Sequence, residues 1–118
     1  MPFEVERNSL ESGVVVLALS GTMTMGNQLE RFEWSIQDMT AKKENRIVLD
    51  MSKVYYIDSA SVGVLMASHG GLRASGGQLR LAGVGERVAA VFKITGVDQI
   101  LAIDRNRDDS VKALSAGA

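Results

Sequence analysis

The chain has no cysteine in its 118 residues, so neither a disulfide nor a thiolate metal site is open to it. That absence suits a reducing, cytoplasmic compartment. Histidine is nearly absent too, and His69 stands alone. A serine–histidine–aspartate arrangement would have to use it. On an unbroken helix it lies about ten residues and ~15 Å from the candidate serine, Ser59, too far for a hydrogen bond. A lone histidine without cysteines builds no common zinc site. Metal ions, cofactors and catalysis are therefore not expected. No charge of one sign dominates: 13 Lys and Arg face 14 Asp and Glu, for a formal net charge of −1. A phosphate-tracking nucleic-acid binder normally carries a basic excess. No apolar run approaches the ~20 residues needed to span a membrane, and Met1–Arg7 lacks the basic-then-apolar pattern of a leader. The phosphate loop Gly-x-x-x-x-Gly-Lys-Ser/Thr of NTPases is missing. Gly83-Val84-Gly85-Glu86-Arg87-Val88 has Val88 where a dinucleotide fingerprint needs its third glycine, so it reads as a tight turn. A soluble intracellular protein is expected.

The chain is 46% hydrophobic and 23% charged, a composition that folds, and its length suits one core. Phe3–Arg7 alternates like a half-exposed edge strand, and Val14–Leu19 is an apolar run of strand formers buried on both faces. The two should pair as a hairpin. Asn27 is placed to cap a helix on which Leu29, Phe32, Ile36 and Met39 form the apolar stripe. Trp34 points away from that stripe, towards the surface or an interface. Ile47–Met51 is a strand, with a loop after it. A helix follows from about Ser59 to Ala74, with Val62, Leu65, Met66 and Leu72 facing the core. Gly63, Gly70 and Gly71 weaken it by roughly 1 kcal/mol each against Ala, which implies either close helix–sheet contact or an end near Gly70. Gln78–Ala82 is a strand; Val88, Val91 and Phe92 mark a helix ending at Gly96; Ile100–Ile103 is a short strand. Asp108, Asp109 and Ser110 open a last helix with Val111 and Leu114, which should fray. Strands alternating with helices imply a mainly parallel sheet.

The rest is organised around Tyr55–Met66. Asp58, Ser59 and Ser61 are residue types that cap helix N-termini, and such termini also hold anions through free N–H groups and the dipole. A serine there is either a plain cap or a position that carries a phosphate, and these residues alone favour the cap.

Four segments together shift that balance. They are Ile57–Val64, the preceding strand with Asp50, Leu81–Val84, and Ile94–Leu101. In this order and spacing they resemble the STAS domain of bacterial anti-sigma factor antagonists, over about residues 3–113. The resemblance implies an α/β fold in one domain, 1–118: a mixed, mainly parallel sheet of about five strands with helices mostly on one face. In that family the motif reads Asp-Ser-Ser/Thr-Gly-Leu-Gly, and a partner kinase phosphorylates the serine after the aspartate, here Ser59, with Ser61 the alternative. Ala60 replaces the second hydroxyl, and Thr24 stands where the family often has an aspartate. The resemblance thus implies a partner-binding loop of Asp58, Ser59, Ala60, Ser61 and Thr24. Its partners would be an anti-sigma factor that is also a serine kinase, freeing a sigma factor when bound, and a serine phosphatase. A monomer or weak homodimer is expected. The other reading is a constitutive adaptor of the same fold, with Ser59 only a cap.

Overall fold

The computed structural model describes residues 1–116, so the last two positions of the expected 1–118 span lie outside the described residues. In chain order the elements are β1 (Glu4–Ser9), β2 (Val15–Met23), α1 (Asn27–Ala41), β3 (Arg46–Ile57), α2 (Ser59–Ala74), β4 (Gln78–Ala82), α3 (Glu86–Thr95), a single 3-10 turn (Val97–Gln99), β5 (Ala102–Asp104) and α4 (Arg107–Ala116). The sheet runs β1-β2-β3-β4-β5; β1 is antiparallel to β2 and the other neighbours are parallel. This is the α/β mixed sheet expected, with the hairpin at one edge.

Alternation along the central strands separates two apolar layers. Val15, Leu17, Leu19, Ile47, Leu49 and Met51 face the large core under α1, α2 and α3. Val14, Val16 and Val48 face the other way, onto Leu114 and Val111 of α4. Three helices thus share one face and α4 covers part of the other. Leu29, Phe32, Ile36 and Met39 are the buried stripe of α1, while Trp34 is 64% exposed.

Several local expectations change. Asn27 does not cap α1: Gly26 holds that position, with no side-chain cap bond. The loop expected after Met51 is strand, because β2 and β3 keep pairing to Met23 and Ile57. On α2 the buried positions are Ser61, Leu65, Ser68 and Leu72, while Val62 and Met66, expected on the core face, are partly buried and pack against the same core. Ser61 joins that face because its hydroxyl has a buried partner, the Met23 carbonyl. Neither explanation offered for Gly63, Gly70 and Gly71 holds: α2 runs on to Ala74, and a Cβ at any of the three would meet no atom within 4 Å. Gly21 is different. Its φ is +90°, and a Cβ there would lie 2.1 Å from the Pro2 carbonyl oxygen, so the N-terminal segment needs glycine at this position of β2.

The fraying expected of α4 is opposed by its anchors. Ser110 is fully buried and donates to Asp104 at 2.6 Å, Arg107 pairs with Asp50 at 2.8 Å, and Leu114 is buried. Arg80 completes the group with a two-pronged pair to Asp104, at 2.7 and 3.0 Å. The Arg80 guanidinium holds the Asp104 carboxyl below its ordinary pKa, against the opposing effect of burial and with help from Ser110.

Candidate functional site

The candidate site forms where the parallel strands β2 and β3 end. The β2–β3 register shifts twice, between Ala18↔Asp50 and Ser20↔Lys53 and again between Gly21↔Val54 and Thr22↔Tyr56, and at the second shift β3 carries an extra residue, Tyr55. A bulge of this kind breaks the in–out alternation, and Tyr55 and Tyr56 both emerge at the surface. Ile57 then returns to the core, and Asp58 is the only residue between strand and helix.

Asp58 is extended, at φ −103° and ψ 177°, and is the N-cap of α2. Its two carboxylate oxygens do different work. Oδ1 accepts the Ser61 N–H at 2.9 Å, closing the first turn of the helix. Oδ2 accepts the Met25 N–H at 2.9 Å, from the segment joining β2 to α1. Desolvation pushes this carboxyl upward, but the N–H groups of Met25 and Ser61 outweigh it and hold its pKa below the ordinary value.

Ser61 adds a second tie. It is 0% exposed, and its hydroxyl donates to the Met23 carbonyl at 2.6 Å. The same carbonyl accepts the Asp58 N–H at 3.2 Å. Two bonds therefore clamp the start of α2 to Met23 at the end of β2, and a third ties it to Met25 just beyond. Ser59, two residues earlier, is the first residue of α2 and is exposed. Residues two apart on a helix point about 200° apart, which is why one serine faces the clamp and the other faces outward.

Of the five residues expected in the partner-binding loop, Asp58, Ser59, Ala60 and Ser61 form the cap and first turn of α2, Ala60 packing against the core. Thr24 is half-buried on the segment whose next N–H Asp58 holds. Sequence reasoning did not single out Met25, which is 78% exposed beside the clamp, or the outward-facing Tyr55–Tyr56 pair. For the tyrosines the available signal was two aromatics in succession at a strand end, which period-two burial does not accommodate. His69 does not approach this site: it lies farther along α2, half-buried, with Nδ1 unpartnered. Among the described residues no three His, Cys, Asp or Glu side chains are grouped to hold a metal ion.

A family model described as the STAS domain matches residues 8–110. Among curated proteins no relative matches the chain. Among solved structures, a candidate anti-sigma factor antagonist from Thermotoga maritima is 25% identical with a TM-score of 0.84, the alignment covering 93% of each chain. An anti-sigma factor antagonist from Mycobacterium paratuberculosis is 21% identical with a TM-score of 0.83, over 96% of this chain and 94% of that one. The Bacillus cell fate determinant SpoIIAA, in its phosphorylated form, is 17% identical with a TM-score of 0.75, over 93% of this chain and 98% of that one.

Proposed function

Because the chain belongs to the STAS domain family, we propose that it is an anti-sigma factor antagonist, a binding module without catalytic activity that a single phosphate switches. Unphosphorylated, it binds an anti-sigma factor that is also a serine kinase, and so frees a sigma factor. Phosphorylated on Ser59, it lets go, and a serine phosphatase restores it. ATP belongs to the partner. The observation that carries this reading is the opposite placement of the two hydroxyls: Ser59 is open to solvent at the first turn of α2, and Ser61 is sealed against Met23. A kinase needs the first arrangement. The Bacillus neighbour solved in a phosphorylated form makes the fold compatible with such a modification in that protein.

The chemistry of the position is consistent. A phosphate brings roughly −1.5 to −2 charges near pH 7. At a helix N-terminus it meets free N–H groups and the positive end of the dipole, while Asp58 repels it. These effects nearly cancel within the domain. Against a partner surface the phosphate must lose water, and an uncompensated charge there costs several kcal/mol. Asp58, Ser59, Ala60, Ser61 and Thr24 form the contact loop. The protein acts in the cytoplasm as a monomer or weak homodimer, and among the described residues no helix is long and apolar enough to cross a membrane.

The competing reading, a constitutive adaptor, draws on Thr24 and Ala60 standing where the family often has an acid and a second hydroxyl. The two separate by intact mass and fragment mapping after incubation with the host's candidate serine kinases and ATP. One phosphate on Ser59, absent from Ser59→Ala, supports the switch. No phosphate with any kinase that binds the protein leaves the adaptor.

A further inference from the structure

Leu29, Phe32, Ile36 and Met39 bury one side of α1, and at about 100° per residue Trp34 points directly away from them. It is the chain's only tryptophan and is 64% exposed. A single exposed apolar residue is ordinary; what sets this one apart is the order of the polar groups around it. The same helix geometry places Arg31 and Asp38 on one side of Trp34, one turn before and one turn after it, and Glu30 and Gln37 on the other side. All four are exposed.

That order is self-complementary. When a second copy lays its α1 antiparallel across the first, the two Trp34 rings meet on the two-fold axis. A residue one turn before Trp34 then lies level with a residue one turn after it in the other copy, on the same side. Arg31 meets Asp38 of the second copy and Glu30 meets its Gln37, and the symmetry repeats each pair. Within the domain Arg31 takes part in none of the four ion pairs among the described residues. Asp38 pairs with Lys42 through Oδ2 at 3.0 Å yet stays 61% exposed, and a carboxylate has room for a guanidinium as well. A parallel pairing would bring Arg31 to Glu30 and leave Asp38 beside Gln37 with no cation. The antiparallel one also sets the two helix dipoles in the favourable opposed direction. Beside α1, the neighbouring helix α2 turns Gly63, Ala67 and Gly70 outward, so no long side chain there holds two copies apart.

We propose that the outward face of α1 is a homodimer face, closed by a second copy of this chain through Trp34 and two Arg31–Asp38 pairs. One helix face buries an area at or below the roughly 1,200 Å² that marks the low end of stable interfaces, so the dimer is weak and forms at high micromolar concentration. The proposal does not depend on how Ser59 is used.

The test is sedimentation equilibrium of the full chain from about 10 μM to about 1 mM, with Trp34 emission read over the same range. The expected result is a monomer with red emission at the low end, and at the high end a dimer whose emission shifts to the blue and is shielded from acrylamide. Trp34→Ala should weaken the dimer at least about tenfold. Arg31→Asp and Asp38→Arg each set like charges against one another, and each should weaken self-association about tenfold. Mixed in equal amounts, these two variants regain both ion pairs in the heterodimer, so the mixture should associate about as tightly as the wild type. All three positions are exposed, and the variants should fold as the wild type does. A chain still monomeric at the top of the range overturns the proposal. So does a dimer that Trp34→Ala leaves intact, since it uses another face. Undiminished association of Asp38→Arg, or a mixture that stays monomeric, overturns the antiparallel pairing. A monomer whose Trp34 emission turns blue only when a candidate serine kinase is added overturns the proposal in favour of that partner.

Discussion

Ser59 and Ser61 are the same residue type two positions apart, and replacing each by alanine should have opposite consequences. Ser61→Ala removes a buried bond, the hydroxyl donating to the Met23 carbonyl at 2.6 Å. The loss is softened, because that carbonyl still accepts the Asp58 N–H at 3.2 Å and is not orphaned. The void left is one oxygen atom, too small to hold water. The cost is therefore that of a typical intramolecular bond rather than of a stranded buried group, about 1–1.5 kcal/mol. Unfolding entropy of about 2.1 cal/mol/K per residue converts each kcal/mol to about 4 °C for a chain of this length. Ser61→Ala should melt about 4–6 °C below wild type, by calorimetry at neutral pH. Ser59→Ala should fall within about 0.5 kcal/mol of wild type, as an exposed substitution away from any buried bond does. Amide exchange gives a local reading. In Ser61→Ala the Met25 and first-turn α2 amides should exchange faster, while the β4 amides should not change beyond the global loss. A Ser61→Ala protein as stable as wild type, or a Ser59→Ala protein less stable than Ser61→Ala, would refute the clamp.

Other outcomes follow from the same geometry. Ser59→Asp should melt near wild type and bind the anti-sigma partner at least about tenfold more weakly by titration calorimetry; an unfolded variant would make Ser59 a structural cap. Gly63→Ala and Gly70→Ala should each stabilise the domain by about 0.5–1 kcal/mol in denaturant titrations, because a Cβ meets nothing at either position. Gly77→Ala should destabilise it, since a Cβ there falls 2.2 Å from the Asn45 carbonyl oxygen. The Asp104 carboxyl is held below its ordinary pKa by Arg80, so its contribution is present above the unfolded-state value of about 3.9 and is lost as pH falls through the lower folded value. Asp104→Asn should accordingly lower the urea midpoint at pH 7 and flatten its decline below about pH 4, and a variant with an unchanged acid slope would contradict this. Trp34, being largely exposed, should emit to the red and be readily quenched by acrylamide; blue, protected emission would place it in an interface between copies.

Much of the fold is local in origin. The α1 stripe Leu29, Phe32, Ile36 and Met39, the two-sided burial of Val14–Leu19, and Gly96 ending α3 at φ 82° all follow from side-chain periodicity and backbone freedom within a few residues. Asp58 as cap of α2 is legible for the same reason. What the linear pattern left open is where a residue's partner is remote. Ser61 is buried because a carbonyl 38 positions earlier accepts its hydroxyl, and nothing between Asp58 and Gly63 shows that. The strand β3 extends to Ile57 because β2 stays paired beside it, and the shift in that pairing exposes two tyrosines that alternation would have divided. Helix α4, weak by composition, is anchored through Arg107 to Asp50, 57 positions away, and through Ser110 to Asp104. Backbone preference is decided residue by residue, so it can be read along the chain; the pairing of buried polar groups depends on which strands become neighbours, and only the folded sheet settles it.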